Sequence, residues 1–368
     1  TVYAPLPAKD FPFRVDQGVT WRPLRDLSLT LLYDHWIFHR APSAATIAPL
    51  RSKHLWTWHH DHFYPEEYWG PRIADKTHHL YVSRWQRRVL EGLIGHRTQG
   101  RTVWNGVPPE QYARVRAHGS PTRHPRRVVY ASMPTRGLDR LLDLWPAVRV
   151  AVPDAELYIY YGQHTVRQLW RGPHYSNLPI LAALDRRVRE LAQDGVTQRG
   201  RVGQNVLTQE FLESGILAYP SPFPEVYMIA AARAAAAGLK LVTTETGCLG
   251  ETLADKTYTV PGAIEEDDWL SGGRDAFARM LVRALTEPEE AYDREGLARA
   301  TLDRCSWENV ARRVEEAFTA AEAEDAAFFE SDVGTEERAI REGPADMRVP
   351  TDPHTLASLR TELIGGYR

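Results

Sequence analysis

The stretch Tyr219–Gly238 reads YPSPFPEVYMIAAARAAAAG, and its pattern decides the fold class. It begins at the end of a short apolar run, Ile216–Tyr219, which is typical of a buried strand. A proline-rich turn leads into an alanine-rich segment, and we predict a helix over Glu225–Ala237 that the following glycine closes. A second apolar run, Leu239–Thr244, predicts another strand. Strand, helix and strand in this order indicate a βαβ unit of a parallel sheet.

The same alternation extends in both directions along the chain. After residue 128 the further predicted strands are Val128–Ser132, Leu157–Tyr161, Val196–Val202 and Thr257–Val260, and the predicted helices are Gly137–Val150, Pro179–Gln193, Asn205–Ser214 and a helical region over 267–327. Before it, we predict strands at Thr1–Ala4, Val19–Pro23, His35–Phe38, His54–Trp58, His79–Ser83 and Arg101–Trp104, a helix at Arg84–Ile94 and a linker over 113–127. We therefore expect a first domain over 1–122, a second over 123–305, a C-terminal helix over 306–327 that crosses back to the first domain, and an acidic tail over 328–368.

The composition is that of a soluble globular protein with two domains. The chain has 368 residues, of which 43% are hydrophobic and 25% charged, and no apolar run approaches the ~18 residues that a membrane span needs. Its two cysteines do not predict a disulfide framework, so we expect a cytoplasmic protein.

The net charge of −3 is unevenly distributed along the chain. Residues 1–125 contain 17 Lys and Arg against 10 Asp and Glu, and 11 of the 14 histidines. A basic first domain fits an anionic acceptor or peripheral contact with an anionic membrane surface, for which the arginines of the helix Arg84–Ile94 are candidates. The uneven charge is explained equally well by a first domain that is merely rich in arginine. The scattered basic residues do not indicate nucleic-acid binding.

Two further stretches could carry chemistry together with Tyr219–Gly238. Val128–Leu144 reads VVYASMPTRGLDRLLDL, a strand, loop and helix with Arg136-Gly137 at the helix start, where free amides and a guanidinium suit a diphosphate. Thr243–Glu251 reads TTETGCLGE and lies where a strand ends in a glycine-bearing loop. Glu225 could accept hydrogen bonds from sugar hydroxyls. Each stretch also has a plain explanation: a turn with a solvated arginine, a simple connection, and a glutamate that favours a helix start.

Together these segments resemble the donor-binding domain of the family-four glycosyltransferases of the GT-B fold. The resemblance runs from about Val128 to Ala317 and includes WPAVRVAVPDAELYIYYG, GRVGQNVLTQEFLESGILAYP, PFPEVYMIAAARAAAAG and CSWENVARRVEEAF. It implies an α/β protein with two Rossmann-like domains whose parallel sheets face a cleft. It further implies a retaining hexosyltransferase that needs no metal and no cofactor, takes a UDP- or GDP-sugar as donor, and uses a glycan or a lipid-linked acceptor.

The resemblance assigns roles to particular residues. Donor phosphate would be bound by Arg136, Gly137 and Ser132. The transferred sugar would be bound by Glu225 and the amides of Val226 and Tyr227, with His60 near it, so that His60 and Glu225 are the catalytic candidates. Val202 would lie near the base. In this family the leaving phosphate is thought to act as the base, so that no protein nucleophile is expected.

Arg233 departs from the family pattern. The family usually carries a second glutamate at this position, where it contacts the ribose, and an arginine cannot accept hydrogen bonds from ribose hydroxyls. Nucleotide binding by Arg233 is therefore in doubt. A catalytically weakened relative that serves as a binding or partner subunit is the alternative to an active enzyme, and a sugar-nucleotide epimerase is a third.

The run His59-His60-Asp61-His62 has the residue types of a metal site but not the spacing. Neighbours on a strand face opposite sides, so we expect a cleft histidine rather than a metal centre.

The beginning of the chain gives a further expectation. Thr1–Ala4 resembles the second strand of the family's acceptor domain, and omission of the first strand would leave unpaired backbone groups in a parallel sheet. We expect about 30–45 further residues before Thr1, the size of a β–α unit, or else a rearranged or incomplete first sheet.

Overall fold

The computed structural model describes residues 1–4, 14–16, 18–23, 26–28, 31–40, 51–61, 77–95, 97–119, 121–161, 179–252, 257–261 and 266–323. The chain divides into two compact units. The first unit comprises Thr1–His59, Tyr64–Leu80 and Arg97–Gly100, and the second comprises His60–Phe63, Tyr81–His96 and Arg101–Arg368.

The strands at the beginning of the chain form two sheets. They are β1 (Val2–Ala4), β2 (Arg14–Asp16), β3 (Val19–Pro23), β4 (Leu32–His39), β5 (Arg51–His59), β6 (His78–Tyr81) and β7 (Gly100–Thr102). A three-stranded sheet has the order β1-β3-β2 and a four-stranded sheet the order β4-β5-β6-β7.

The three-stranded sheet is mixed, which the sequence did not predict. β1 and β3 are parallel, whereas β2 and β3 are antiparallel, with Asp16 opposite Val19. Gly18 has φ +80°, the conformation that such a short hairpin needs. The strands expected in one parallel sheet are therefore split between two sheets, while the expectation of residues before Thr1 stays a prediction.

The four-stranded sheet contains a histidine pair. β4 and β5 run parallel, in register from Leu32 opposite Arg51 to His39 opposite Trp58. At the end of β5, His59 is fully buried and its Nε2 lies 2.9 Å from Nδ1 of His79 on β6. The next residue, His60, is half-buried. His59 is therefore part of the interior, as the alternation of strand side chains predicts.

The second unit contains a six-stranded sheet. Its strands are β8 (His124–Ala131), β9 (Glu156–Tyr160), β10 (Val196–Gly200), β11 (Ser214–Tyr219), β12 (Lys240–Thr244) and β13 (Thr257–Val260). They are all parallel and have the order β10-β9-β8-β11-β12-β13. This is the doubly wound order 3-2-1-4-5-6 of a Rossmann-like domain.

The α-helices that the structure describes all belong to the second unit. They are α1 (Arg84–Ile94), α2 (Pro109–Ala117), α3 (Leu138–Ala151), α4 (Pro179–Glu190), α5 (Gln204–Glu213), α6 (Ile229–Ala236), α7 (Leu249–Thr252), α8 (Glu266–Asp268), α9 (Arg274–Thr286), α10 (Arg294–Cys305) and α11 (Trp307–Ala323). The sheet strands are near-continuous apolar runs because helices bury both faces of a parallel sheet. The fully buried strand residues include Val128, Val129, Leu157, Ile159, Ile216, Leu217, Leu241 and Val242.

Two predicted boundaries are wrong. The expected linker 113–127 contains most of α2 and the beginning of β8, and both α1 and α2 belong to the second unit. The helix expected from Glu225 begins only at Ile229. The segment before it is not helical because its backbone is bonded elsewhere: the carbonyl of Glu225 accepts a hydrogen bond from the amide of Cys248 at 2.7 Å.

The carboxylate of Glu251 caps α1 from a distant part of the chain. It accepts hydrogen bonds from the amides of Arg84 at 2.6 Å and Trp85 at 2.8 Å, and its side chain is almost completely buried. A negative charge at a helix amino end satisfies free amides and complements the helix dipole. Glu251 therefore fixes α1 to α7, the short helix that follows β12.

The arginines of α1 do not form an open basic face. Arg87 is buried, and its Nε lies 3.0 Å from Oε1 of Glu91. Arg84 Nε lies 3.7 Å from Oε1 of Glu251. Two of the three arginines expected to contact an anionic membrane are thus paired with carboxylates of the same unit, which weakens that expectation.

Removal of the Glu251 carboxylate should loosen α1. Glu251→Ala leaves the amides of Arg84 and Trp85 without their acceptor, and we expect a loss of about 1–3 kcal/mol in the free energy of unfolding. Hydrogen exchange should accelerate first at these two amides. The exposed Glu245 on the same loop provides the matched control, Glu245→Ala, which should leave exchange in α1 unchanged. Equal exchange in both variants would show that the cap does not stabilise the helix.

The last helix, α11, returns toward the segment that follows β7. The amide of Val107 donates to the carbonyl of Cys305 at 2.7 Å. The guanidinium of Arg313 on α11 lies 4.8 Å from the ring centre of Trp104, and that of Arg304 on α10 lies 5.0 Å from it. These contacts lie within the second unit, so a crossing of α11 to the first domain stays a prediction.

Candidate functional site

The candidate site lies where the chain changes direction across the six-stranded sheet. β8 and β11 are neighbours, yet β9 and β10 continue to one side of β8, while β12 and β13 continue to the other side of β11. The loops after β8 and β11 therefore lie at the same sheet edge, at the switch point of the strand order, which is where doubly wound sheets bind ligands. Arg136 lies on the first loop and Glu225 on the second.

Arg136 and Glu225 form an ion pair at this edge. Nη1 of Arg136 lies 2.9 Å from Oε1 and 3.2 Å from Oε2 of Glu225. The Glu225 side chain is only 6% exposed, whereas that of Arg136 is 30% exposed. The sequence singled out both residues, and the structure brings them into direct contact, while their roles in binding stay predictions. The pair presents a guanidinium toward solvent and holds a carboxylate behind it.

Two aromatic residues position the ion pair. The hydroxyl of Tyr219, the last residue of β11, donates to Oε1 of Glu225 at 2.5 Å. Burial raises the pKa of Tyr219 well above its ordinary value, and the nearby Glu225 carboxylate adds to the increase, so the hydroxyl keeps its proton and remains a donor. The centre of the Phe223 ring lies 4.0 Å from the guanidinium carbon of Arg136, a cation–π contact.

Ser132 is connected to the same cluster through Tyr219. Its hydroxyl donates to the Tyr219 hydroxyl at 3.4 Å, a long hydrogen bond. Ser132 therefore lies beside the cluster, and its predicted contact with phosphate stays a prediction.

Gly137 allows the two loops to approach each other. It has φ +97°, and a Cβ at this position would lie 2.5 Å from the carbonyl oxygen of Pro220 and 3.0 Å from Cα of Ser221. Both the left-handed conformation and the contact with the neighbouring backbone therefore require glycine. α3 begins directly after it, so its free amides lie beside the loop that carries Glu225.

A side chain at position 137 should disrupt this contact. We expect Gly137→Ala to lower the free energy of unfolding by about 2–4 kcal/mol, because the new methyl group meets rigid backbone and the backbone conformation becomes strained. Gly203→Ala is the matched control: Gly203 has φ −66° and open space around it, so the change should be within about 1 kcal/mol. Urea unfolding of the two variants measures the difference, and equal midpoints would refute the close approach.

The loop after β12 closes the other side of Glu225. A Cβ on Gly247, which has φ +59°, would collide with the backbone nitrogen and oxygen of Glu225. The hydroxyl of Thr244 donates to the carbonyl of Ser221 at 2.6 Å. The stretch Thr243–Glu251 therefore shapes the backbone on which Glu225 lies. The sequence predicted only that this stretch lies at the sheet edge.

The other predicted site residues lie on loops or directly after a strand. Val226 and Tyr227 follow Glu225 in the loop before α6 and are buried. Val202 lies in the loop between β10 and α5, because β10 ends at Gly200 rather than at Val202. His60 lies directly after β5. Their contacts with sugar, base or transferred group stay predictions.

Arg233 is turned toward helices α2 and α5. Its Nη2 lies 2.5 Å from Oε1 of Gln111 and 3.1 Å from Oγ1 of Thr208, and its Nη1 donates to Oε1 of Gln204. These side chains hold Arg233 on the side of α6 that faces α2 and α5.

Within the described ranges, no three histidine, cysteine, aspartate or glutamate side chains are grouped as a metal site would require. His62 of the histidine-rich run lies outside those ranges. Among the helices that the structure describes, none is long and apolar enough for a bilayer span.

No protein-family model and no curated protein sequence matches the chain. Solved structures do match in three dimensions. The pneumococcal O-GlcNAc transferase GtfA, in complex with UDP and GlcNAc, has 16% identity and a TM-score of 0.51 over 72% of this chain, which spans about half of that protein, 52%. HepE of Anabaena, in complex with UDP and glucose, has 15% identity and a TM-score of 0.51 over 76% of this chain and 74% of its own.

A third match is the sucrose-phosphate synthase of Thermosynechococcus elongatus, with 16% identity and a TM-score of 0.51 over 78% of this chain and 74% of that one. At such identities the similarity shows the fold alone. The protein has the α/β fold of the GT-B glycosyltransferases, as the sequence predicted, and its six-stranded parallel sheet is Rossmann-like.

Proposed function

We propose that this protein is a glycosyltransferase that moves a hexose from a nucleotide diphosphate sugar to a glycan or a lipid-linked acceptor, with retention of the anomeric configuration and without a metal ion. The assignment to the family-four enzymes is part of the proposal and is supported by the run of similar segments from Val128 to Ala317. The acceptor would be reached from the cytoplasm, and UDP- and GDP-sugars are both candidate donors.

The observation that carries the proposal is the Arg136–Glu225 pair at the switch point of the sheet. A guanidinium beside the first amides of α3 suits a diphosphate, because both provide donors for its oxygens. A buried carboxylate that already accepts from Tyr219 and Arg136 still has lone pairs for sugar hydroxyls. The two functional groups of a nucleotide sugar thus match the two members of the pair.

The proposed reaction exchanges one bond to the anomeric carbon for another. The bond from the anomeric carbon to the diphosphate oxygen breaks, and the diphosphate leaves with the bonding electrons. The acceptor hydroxyl forms its bond on the same face of the sugar, and its proton passes to an oxygen of the leaving diphosphate. Arg136 would stabilise the charge that develops on the diphosphate, and Glu225 would hold the sugar in position.

A screen of donors tests the proposal most directly. We expect UDP, GDP or a corresponding nucleotide sugar to raise the thermal unfolding temperature of the protein, because a ligand that binds only the folded state stabilises it. The stabilising donor should then yield free nucleotide diphosphate when a glycan or lipid-linked acceptor is added. Product analysis by nuclear magnetic resonance would show the anomeric configuration. If no nucleotide shifts the unfolding temperature, the proposed function is wrong.

A second candidate is a catalytically weakened relative that serves as a binding or partner subunit. Arg233 favours it, because an arginine stands where the resemblance expects a ribose acceptor. Such a protein would bind a nucleotide but would not turn a donor over, so the same assay distinguishes the two candidates. Product formation from donor alone would instead indicate an epimerase or a hydrolase.

A further inference from the structure

Arg233 has a positive charge that its neighbours do not neutralise. Its guanidinium donates to Gln204, Gln111 and Thr208, and all three acceptors are neutral oxygens. Among the residues that the structure describes, no carboxylate forms an ion pair with it. The residue is only 8% exposed, and its Nε is buried without a hydrogen-bond partner.

An unpaired buried guanidinium is costly. Removal of a charge from water costs several kcal/mol unless an opposite charge compensates it. Other buried arginines of this unit have such a partner; Arg127, for example, lies 3.0 Å from Oε2 of Glu156. The missing counter-charge at Arg233 is therefore a specific feature of this position.

The surroundings of Arg233 add positive potential. Its partner Gln204 is the first residue of α5, whose preceding residue, Gly203, offers no side chain to cap the free amides. The positive end of the α5 dipole thus adjoins the guanidinium. Burial raises the pKa of Tyr112, whose hydroxyl donates to the Arg233 carbonyl, to about 12. The positive charges of Arg233 and Arg116 act against this increase.

The amino end of α5 is open to solvent. Gly203, Gln204 and Asn205 are all exposed. Gln204 turns its carbonyl oxygen toward Arg233, so the two hydrogens of its amide group are available to an acceptor outside. The Gln204 amide group and the helix amino end therefore supply exposed donors, and the buried guanidinium directly behind Gln204 supplies positive charge.

We propose that Arg233, Gln204 and the amino end of α5 form a binding site for the phosphate group of a ligand. A phosphate provides the missing negative charge, and its oxygens suit both a guanidinium and the free amides of a helix start. The site is separate from the Arg136–Glu225 pair, to which the proposed function assigns the diphosphate of the donor. The inference rests on the proposed function only where a nucleotide supplies the phosphate, and its diphosphate would then bind here rather than at Arg136; a free phosphate or another phosphorylated ligand would use the same chemistry.

Substitution of Gln111 provides the sharpest test. Gln111→Glu keeps the shape of the side chain and gives Arg233 a carboxylate 2.5 Å from its Nη2, so the site loses its excess charge while the fold is kept. With inorganic phosphate as ligand, we expect its affinity, measured from the phosphate-dependent rise in unfolding temperature, to fall at least tenfold. In phosphate-free buffer the variant should unfold at a higher temperature than the unmodified protein.

Two further variants control this experiment. Gln193→Glu makes the same chemical change at an exposed position on the turn before β10, and it should leave phosphate binding unchanged. Arg233→Gln removes the charge itself and should abolish the phosphate response. If Arg233→Gln fails to fold, the Gln111→Glu variant still decides the question. Phosphate binding that is absent in the unmodified protein, or equal in the Gln111→Glu variant, overturns the inference.

The source of the phosphate follows from a comparison of UDP with uridine. If UDP binding weakens in the Gln111→Glu variant while uridine binding does not, the nucleotide supplies the phosphate. If only inorganic phosphate responds, the site takes another phosphorylated ligand. The phosphate measurement needs neither nucleotide nor turnover, so its failure is distinguishable from a failure of the proposed function.

Discussion

Replacement of Glu225 by glutamine should lower the turnover of the donor by about 100- to 1,000-fold, the effect of removing one preorganised electrostatic contact from an active site. The glutamine oxygen can still accept hydrogen bonds from Tyr219 and Arg136, so the loop that carries residue 225 should keep its conformation. What is lost is the negative charge that strengthens hydrogen bonds from the sugar hydroxyls. Steady-state kinetics with the stabilising donor would measure the change.

The neutralisation of Glu225 also has a structural consequence, which requires a control. Arg136 loses its counter-charge, and we expect the unfolding free energy to fall by about 1–3 kcal/mol. Glu190→Gln, at the exposed end of α4, removes a carboxylate from a surface ion pair and should change neither quantity measurably. Turnover of the Glu225→Gln variant at the normal rate would mean that Glu225 only stabilises the loop.

The sequence predicted the second unit well because its signals are local. Each buried parallel strand is a continuous apolar run, and each loop that matters follows such a run directly. Arg136 and Glu225 could therefore be placed at the same sheet edge without coordinates, since the carboxyl ends of parallel strands share an edge.

Contacts between distant parts of the chain were not predictable in the same way. Tyr219 reads as an ordinary strand residue, and only its position at the end of β11 places its hydroxyl on Glu225. Gln111 reaches Arg233 across 122 positions of sequence, from a position just before the segment that composition alone marks as a linker. Glu251 caps α1 across 167 positions. No local periodicity contains information on these pairs, because tertiary packing selects them.

The first unit shows the limit of pattern reasoning on short strands. Six of the seven strands there overlap predicted strands, whereas β2 was not predicted, and the pattern did not distinguish parallel from antiparallel neighbours. The hairpin of β2 and β3 depends on a turn of two residues, and β2 itself has only three. Sheet assignment there follows from turn geometry rather than from hydrophobic periodicity.

Replacement of Arg136 by methionine should lower both the affinity for a nucleotide diphosphate and the free energy of unfolding. The methionine keeps an unbranched side chain above Phe223 but removes the charge and all donors. We expect the affinity for a nucleotide diphosphate to fall about 10- to 100-fold, since a hydrogen bond to a charged group contributes about 1.5–3 kcal/mol. We also expect the free energy of unfolding to fall by about 2–4 kcal/mol, because a buried carboxylate is left without its partner.

The double variant Arg136→Met with Glu225→Gln separates these two effects. The second substitution neutralises the stranded carboxylate, so much of the lost stability should return, as it does when both members of a buried pair are replaced. Nucleotide affinity should stay low, because the guanidinium that would contact the diphosphate is still missing. Calorimetric titration with UDP and urea unfolding of the single and double variants measure the two quantities independently. Recovery of both would mean that Arg136 acts only by neutralising Glu225, and unchanged UDP affinity in the single variant would exclude a phosphate role for Arg136.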